Sequence, residues 1–376
     1  MKSQKVKTHS FFYCLFFICI GFFHSAQASQ NNSSSEIFGN VSESVFVPDV
    51  SKEIFHLLKN RPELTIDHLS DKGFELYGPK GTIAFLRNNK INFNQVDSIS
   101  NQLAATYPSP EEIEMELRSL TTKYSNISRL FSIGSSVKKR PLWVIKISKD
   151  VAVDDDRPEF KFIANMHGDE IVGRELMVRL IKDLLNQYGK DPQITNLIDR
   201  VQIYIMPSMN PDGAALKSRG NANSVDLNRN FPDFSTNDNK DITTGREPET
   251  QAVMNWQTKR RFKLSANFHG GAEVVNYPWD TIGTDFPKKD LVKELSLEYA
   301  SLAPYINSST TFENGITNGF DWYEVNGGMQ DWSIYYKKDL QLTVELSNQK
   351  WPDYSRIDYF YQQNKEALLQ FMERAL

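Results

Sequence analysis

The sequence predicts an α/β protein: a mixed, largely parallel twisted sheet flanked by helices, preceded by a small α+β segment. Three observations lead there. Beyond residue 105, apolar runs of strand length alternate with stretches of helical periodicity, the pattern of layered α/β folds. Proline, glycine and capping residues fall between those runs rather than within them. The 376 residues, 40% of them hydrophobic and 12% aromatic, suffice for a large core in one large or two unequal domains.

Residues 1–28 have the form of an export signal. Lys2, Lys5 and Lys7 make a basic start, Phe11 to Phe23 is an apolar run too short to span a bilayer comfortably, and Ala26-Gln27-Ala28 offers small residues for cleavage. The mature protein is then expected in a periplasm or outside the cell, and no later stretch is apolar enough to cross a membrane. Both cysteines, Cys14 and Cys19, lie in this stretch. The mature chain therefore has no disulfide, no thiol nucleophile and no thiolate metal ligand. With 43 basic against 47 acidic side chains, nothing electrostatic points to nucleic acid or to an anionic membrane surface.

Residues 29–104 form a polar start and a small structured segment. Ser29 to Ser35 is rich in asparagine and serine. Ile54, Leu57 and Leu58 have helical spacing, with Pro62 beyond them. Phe74 to Tyr77 and Ile83 to Leu86 read as two short strands around Gly78, Pro79 and Gly81, a hairpin. A pro-segment, a docking module and a packing extension are all open readings of this part.

Residues 105–376 form the main unit. Ser109, Pro110 and two glutamates open a helix whose face carries Ile113, Leu117 and Leu120. Leu130–Ile133, Trp143–Ile147, Phe160–Met166, Val201–Met206, Leu264–Phe268 and Leu340–Leu346 read as strands. Glu175–Tyr188 and Asp358–Ala375 read as helices.

Four histidines remain after the signal: His56, His68, His167 and His269. His167 and His269 each end an apolar strand, where open α/β sheets gather their active sites. Glu170 follows His167 by three residues. Two imidazoles and one carboxylate leave a fourth position open for water, as catalytic rather than structural zinc does. His56 and His68 read as ordinary core or loop residues. Between Asp212 and Phe231 lies a polar loop in which Arg219 and Arg229, among asparagines and glycines, suit bidentate capture of a carboxylate.

These residues occur within longer motifs: His167-Gly168-Asp169-Glu170, Asn210-Pro211-Asp212-Gly213, Arg219-Gly220-Asn221-Ala222, Asp226 to Asp233, His269-Gly270-Gly271 with Asn276-Tyr277-Pro278, Asn318-Gly319 with Trp322-Tyr323, Gly327 to Trp332, and Thr343 to Ser347. In that order, over about residues 105 to 376, they resemble the zinc metallocarboxypeptidases of the funnelin family. The likeness is to the regulatory branch that includes carboxypeptidases N, E, M and D. The resemblance implies one zinc ion held by His167, Glu170 and His269, and Glu345 as general base. It implies Arg219 beside the oxyanion, Asn228 and Arg229 on the substrate's terminal carboxylate, and Tyr323 closing over the bound residue. Asp226 is a candidate partner for a zinc histidine. Asp280 and Gln330 match pocket positions that face a basic side chain, so C-terminal lysine or arginine is the expected leaving residue of a peptide or protein. Two rivals keep the fold: a peptidase for cell-wall peptides containing diaminopimelate, whose extra carboxylate Asp280 would repel, and a binding module without activity. The branch commonly carries a small β-sandwich after the catalytic domain, and none is expected here, because Leu376 follows directly on the closing helix. Nor does the branch lead one to expect the structured part of residues 29–104.

Overall fold

The computed structural model describes residues 40–95 and 106–376, which belong to one compact unit. The export-signal reading of residues 1–28 and the polar stretch after it lie outside the described residues. The first described part contains β1 (Glu43–Val47), α1 (Lys52–Lys59), β2 (Thr65–Ser70), β3 (Gly73–Gly78), α2 (Thr82–Asn88) and β4 (Asn94–Gln95). Its strands form a four-stranded antiparallel sheet in the order β2-β3-β1-β4. Val45, Val47, Leu58, Phe74, Leu76, Leu86 and Ile91 make a hydrophobic cluster that belongs to this part alone.

One sequence expectation fails here. Ile83–Leu86 lies in α2, not in a strand, and β3 finds its hairpin partner in β2 across Asp71 and Lys72. A four-residue apolar run does not separate strand from helix by itself. What decides is the start of the element: Gly81 stands at φ 106, the Thr82 hydroxyl donates to Pro79 O at 2.8 Å, and Glu43 Oε2 accepts from Ile83 N–H at 2.7 Å. The expected α1 does form.

The larger part runs α3 (Pro110–Lys123), β5 (Ser128–Ser135), β6 (Pro141–Ile147), β7 (Glu159–Ala164), α4 (Val172–Gln187), α5 (Pro192–Arg200), β8 (Gln202–Met206), α6 (Pro211–Leu216), α7 (Pro248–Gln257), β9 (Phe262–His269), β10 (Glu273–Tyr277), α8 (Lys289–Leu302), α9 (Pro304–Asn307), β11 (Ile316–Asn318), α10 (Gly319–Trp322), α11 (Met329–Lys337), β12 (Leu340–Leu346) and α12 (Ile357–Glu373). Ser109 and Glu112 form a reciprocal capping box at α3, as the sequence suggests. The other strands and helices read from the sequence appear within a few residues of their expected bounds. α5 to α11, β10 and β11 were not foreseen, and α6 stands at the start of the stretch read as a polar loop, where Asn210 caps it by accepting from Gly213 N–H.

The sheet has eight strands in the order β11-β10-β12-β9-β7-β8-β6-β5. β12, β9, β7 and β8 run parallel, while β10, β6 and β5 add antiparallel pairings toward the edges. This is the mixed, largely parallel sheet the sequence predicts, with α4, α8 and α12 packed into the main hydrophobic cluster beside it. β8 lies on one side of β7 and β9 on the other. The chain after β7 thus opens into a crevice at the strand carboxyl ends, the usual ligand position in such sheets. Among the described residues, no helix is long and apolar enough to cross a membrane.

Candidate active site

The site begins where β7 stops. Asn165, at φ 55, turns the chain, and its side-chain amide donates to the carbonyls of His167 (2.9 Å), Gly168 (3.3 Å) and Glu170 (3.3 Å). That clamp makes a tight turn which presents His167 and Glu170 together. β9 delivers His269 as its last residue. The parallel register between β9 and β12 sets Glu345 directly opposite His269.

Four residues meet there, all almost wholly buried. His167 Nδ1 lies 2.9 Å from Glu170 Oε1, His269 Nδ1 lies 2.9 Å from Glu170 Oε2, and the two Nδ1 atoms are 3.1 Å apart. Shared protons do not satisfy two facing imidazole nitrogens and both oxygens of one carboxylate well. A cation at their common centre would satisfy all four atoms, and this donor set suits zinc. Glu345 Oε2 is buried without a hydrogen-bond partner, as expected of a group that faces a ligand. Burial, then the Glu170 charge, pushes the Glu345 carboxyl up to about 8.

Around this centre stands a ring of ions. Asp226 Oδ1 meets His167 Nε2 at 2.9 Å, and Asp226 Oδ2 accepts from Arg219 Nε at 2.9 Å. Arg219 Nη1 also donates to Glu170 Oε1 at 3.2 Å. Asp226 therefore fixes the outer nitrogen of one histidine, as the sequence suggests, and orients Arg219 at the same time.

The cavity next to these groups is lined further along by Asn228, Arg229, Tyr323, Asn276 and Asp280. Asn228 Oδ1 accepts from Met329 N–H at 2.9 Å, and Arg229 Nη1 donates to the Asn228 carbonyl at 3.0 Å. Asp280 lies beyond. Its Oδ1 accepts from Asn276 Nδ2 at 3.1 Å and from Gln330 Nε2 at 2.9 Å. The backbone N–H groups of Asp280 and Thr281 donate to Asp331 Oδ2 at 2.9 and 3.0 Å. Any side chain at position 319 would collide with the Asp280 carboxylate, so Gly319 keeps that corner open. Burial pushes the Asp280 carboxyl up to about 7. Nine of the residues singled out in the sequence thus line one cavity, with Gln330 supporting Asp280 and Asp226 supporting His167 and Arg219 from outside its lining.

Sequence reasoning missed the far wall. A bulge between Asp67 and Ser70, with His68 at φ 49, aims the β2–β3 hairpin of the small sheet into the larger unit. Asp67 forms an ion pair with Arg219 and accepts a hydrogen bond from the Tyr323 hydroxyl. Burial opposes its charge, but Arg219, His68, Lys350 and Arg229 together hold its carboxyl well below the usual range. The His68 ring fills the space over Gly271, whose φ of 124 and missing side chain both make room for it. Lys350 Nζ reaches Glu75 Oε2 and the Tyr77 hydroxyl, each at 2.6 Å, and Trp322 Nε1 donates to Leu69 O at 2.9 Å. His68 is thus not the bland residue its sequence surroundings suggest. No local motif could have revealed this, because the groups this hairpin meets in the larger unit lie 150 or more residues away in the chain. Asp67, His68 and Glu170 offer ligand atoms within 4.8 Å of one another, a second cluster of metal-binding type. Arg219 and Lys350 already supply positive charge at that corner, so the carboxylates serve ion pairs there.

With the hairpin seated, the cavity between the histidines and Asp280 has a volume of about 20 Å³, room for one water molecule and no peptide residue.

Fold and site together define a class: an α/β protein that gathers two histidines and a glutamate at strand carboxyl ends to hold one metal ion beside a buried carboxylate. The model of the zinc carboxypeptidase family matches residues 113–367, and the chain belongs to that family. Carboxypeptidase SOL1 of Arabidopsis thaliana is 42% identical over 72% of this chain and 56% of its own length. Carboxypeptidase M of Mus musculus, from the regulatory branch, is 42% identical over 71% of this chain and 65% of its own length. The chain thus spans less than two thirds of these curated relatives. Among solved structures, the carboxypeptidase A of Helicoverpa armigera shares the fold at a TM-score of 0.69 and 18% identity, covering 90% of this chain and 98% of its own. A 90% share is more than the larger unit can supply, so the likeness of fold extends to the small sheet as well.

Proposed function

We propose that this chain is a zinc-dependent exopeptidase that hydrolyses the C-terminal peptide bond, releases lysine or arginine, and is held closed by its N-terminal segment. One observation carries the reading: a single cavity has His167, Glu170, His269 and Glu345 at one end and Asn228, Arg229 and Asp280 at the other. His167, Glu170 and His269 would hold the zinc ion, which supplies a Lewis acid for the scissile carbonyl and lowers the pKa of bound water to about 7.

The chain's own residues do the rest. Glu345 takes a proton from the attacking water and passes it to the leaving amine. Burial disfavours the charged form of its carboxyl, which favours uptake of that proton. Arg219, fixed by Asp226, presents a preorganised cation to the developing oxyanion. Arg229 and Asn228 bind the terminal carboxylate; an internal peptide bond offers none, which leaves that guanidinium without its anion and makes the enzyme an exopeptidase. Asp280, ionised by an arriving lysine or arginine, selects the leaving residue. Asn276 Oδ1 and Gln330 Oε1 are buried without partners beside it, two further acceptors for a cationic side chain.

The segment of residues 40–95 closes this site. Asp67 occupies Arg219 and Tyr323, two groups the substrate needs, and leaves no room for a peptide. This assigns the segment the pro-segment role among the three open readings. Lys2 to Ala28 supports export, by the sequence argument alone.

The test is a panel of acyl dipeptides ending in Arg, Lys, Leu and Phe, given to the full chain and to its Asp67→Ala variant with zinc in excess. Arg and Lys substrates should turn over fastest, activity should vanish with a chelator, and the variant should exceed the parent. Faster turnover of the Phe substrate would sink the specificity. Equal activity of the two proteins would sink the closure.

A further inference from the structure

The hairpin does more than block a cavity, because of where its charges fall. The metal-binding cluster is flanked by two cations of the larger unit, both close to one oxygen of Glu170. Arg219 Nη1 is 3.2 Å from Glu170 Oε1. Lys350 Nζ is 3.9 Å from the same oxygen and 3.8 Å from Asp169 Oδ2. Both are buried or nearly so, where charges are poorly screened. A divalent cation bound to Glu170 would face both. The hairpin answers each with a carboxylate: Asp67 on Arg219, and Glu75 on Lys350 at 2.6 Å. A carboxylate oxygen of Asp67 also lies within 4.8 Å of one on Glu170.

We propose that the N-terminal segment is part of the metal's charge-balancing shell, so that metal retention and segment docking reinforce each other. This rests on the zinc reading above and adds to it a regulation of the same site. The argument is one of sign. Removing Asp67 and Glu75 takes two negative charges from the surroundings of a dication and leaves Arg219 and Lys350 with only Asp226 and Asp169 beside Glu170 to answer them. His68 sits between the two carboxylates, with Nδ1 3.2 Å from Glu75 Oε2. Even with a full charge on it, the hairpin brings one net negative charge to the corner. Metal binding is therefore weaker when the segment is away. Linkage then requires the reverse: the segment binds more weakly when the metal is absent, by the same factor. The metal-loaded chain stays closed, and the metal-free chain opens and exposes the segment to proteases. Once the segment has gone, the enzyme holds its metal less tightly than the closed form did.

Two measurements on the full chain test this. The first is zinc affinity by competition with a chromophoric chelator, for the parent, Asp67→Asn, Glu75→Gln and the double variant. Glu53→Gln, an equal charge loss elsewhere in the segment, is the control. Asp67→Asn should weaken zinc binding roughly 10- to 100-fold, the range for partners just outside the ligand shell. Glu75→Gln acts through Lys350 and should cost less, and Glu53→Gln nothing. The second measurement needs no variant. The rate of limited proteolysis of the segment should fall when zinc is added to the metal-free parent. Zinc affinities equal across parent and variants, with proteolysis indifferent to zinc, would overturn the proposal while leaving the enzyme reading intact. A parent that binds no zinc at all would overturn both.

Discussion

The two sheets approach the same cavity in opposite ways. The eight-stranded sheet brings groups that it leaves incomplete: Glu345 Oε2 is buried without a partner, and three side chains of metal-binding type converge on one point. The four-stranded sheet brings groups that complete others: Asp67 answers Arg219 and Tyr323, and Glu75 answers Lys350. Unsatisfied polar groups are costly, and one that faces a cavity is available to a ligand. The contrast separates a surface shaped for substrate and metal from a surface shaped to stand in for substrate.

Four experiments break or sharpen that contrast. The largest effect belongs to the incomplete side. In an Asp67→Ala background with zinc in excess, Glu345→Gln should lower kcat for the Arg dipeptide by about 10²- to 10⁴-fold, the usual contribution of a positioned base. Bound zinc, read by atomic absorption, should be unchanged. Next comes the side that completes. Breaking a buried ion pair by removing one partner costs about 3–5 kcal/mol, so Asp67→Ala alone should raise peptidase activity of the full chain at least tenfold. Trimming the segment should then add little more.

A third experiment probes the specificity end by pH. Asp280, pushed up to about 7 by burial, is neutral below that pH in the free enzyme and ionised above it. A cationic substrate needs the ionised form. Its binding therefore releases a proton, and KM for the Arg substrate should rise as pH falls through 7, by up to tenfold per unit. KM for the Leu substrate should not follow it. Asp280→Ala should flatten the difference. The smallest effect is at the margin of the interface, where Lys59 meets Glu324 at 3.0 Å with both side chains partly exposed. Screened pairs of this kind contribute about 0.2–1 kcal/mol. Lys59→Ala should therefore raise full-chain activity no more than about fivefold, and less in high salt.

Much of the larger unit was legible in the sequence because its signals are local. Strand-length apolar runs ending in histidine place the metal end at the strand termini, and the motifs from Asp226 to Phe231 and from Gly327 to Trp332 mark the loops that face it. α7 and α11 escaped because their apolar positions are mixed with polar residues that the fold buries, such as Glu249, Thr250 and Gln257 in α7; α5 carried legible signals in Asp191, Pro192, Ile194, Leu197 and Ile198 that went unread. The role of Asp67, His68 and Glu75 was invisible for a different reason. These residues sit in a hairpin with nothing catalytic near them in sequence, and their meaning comes from partners more than 100 residues away. Asp331 is a milder instance. It stands inside a recognisable motif, yet its grip on the backbone of Asp280 and Thr281 depends on a contact 50 residues distant. Local pattern finds the groups that do chemistry; it does not find the groups that hold them.

One detail of the sheet has a wider reach. His269 and Glu345 face each other on a single rung of the β9–β12 ladder. Alternate residues of a strand point to opposite sides, so a slip of one residue would turn Glu345 away and offer Val344 or Leu346 in its place. The proposed metal ligand and base are therefore also a readout of strand alignment. A chain that pairs these strands wrongly becomes silent instead of promiscuous, and activity in this enzyme certifies the register of its sheet.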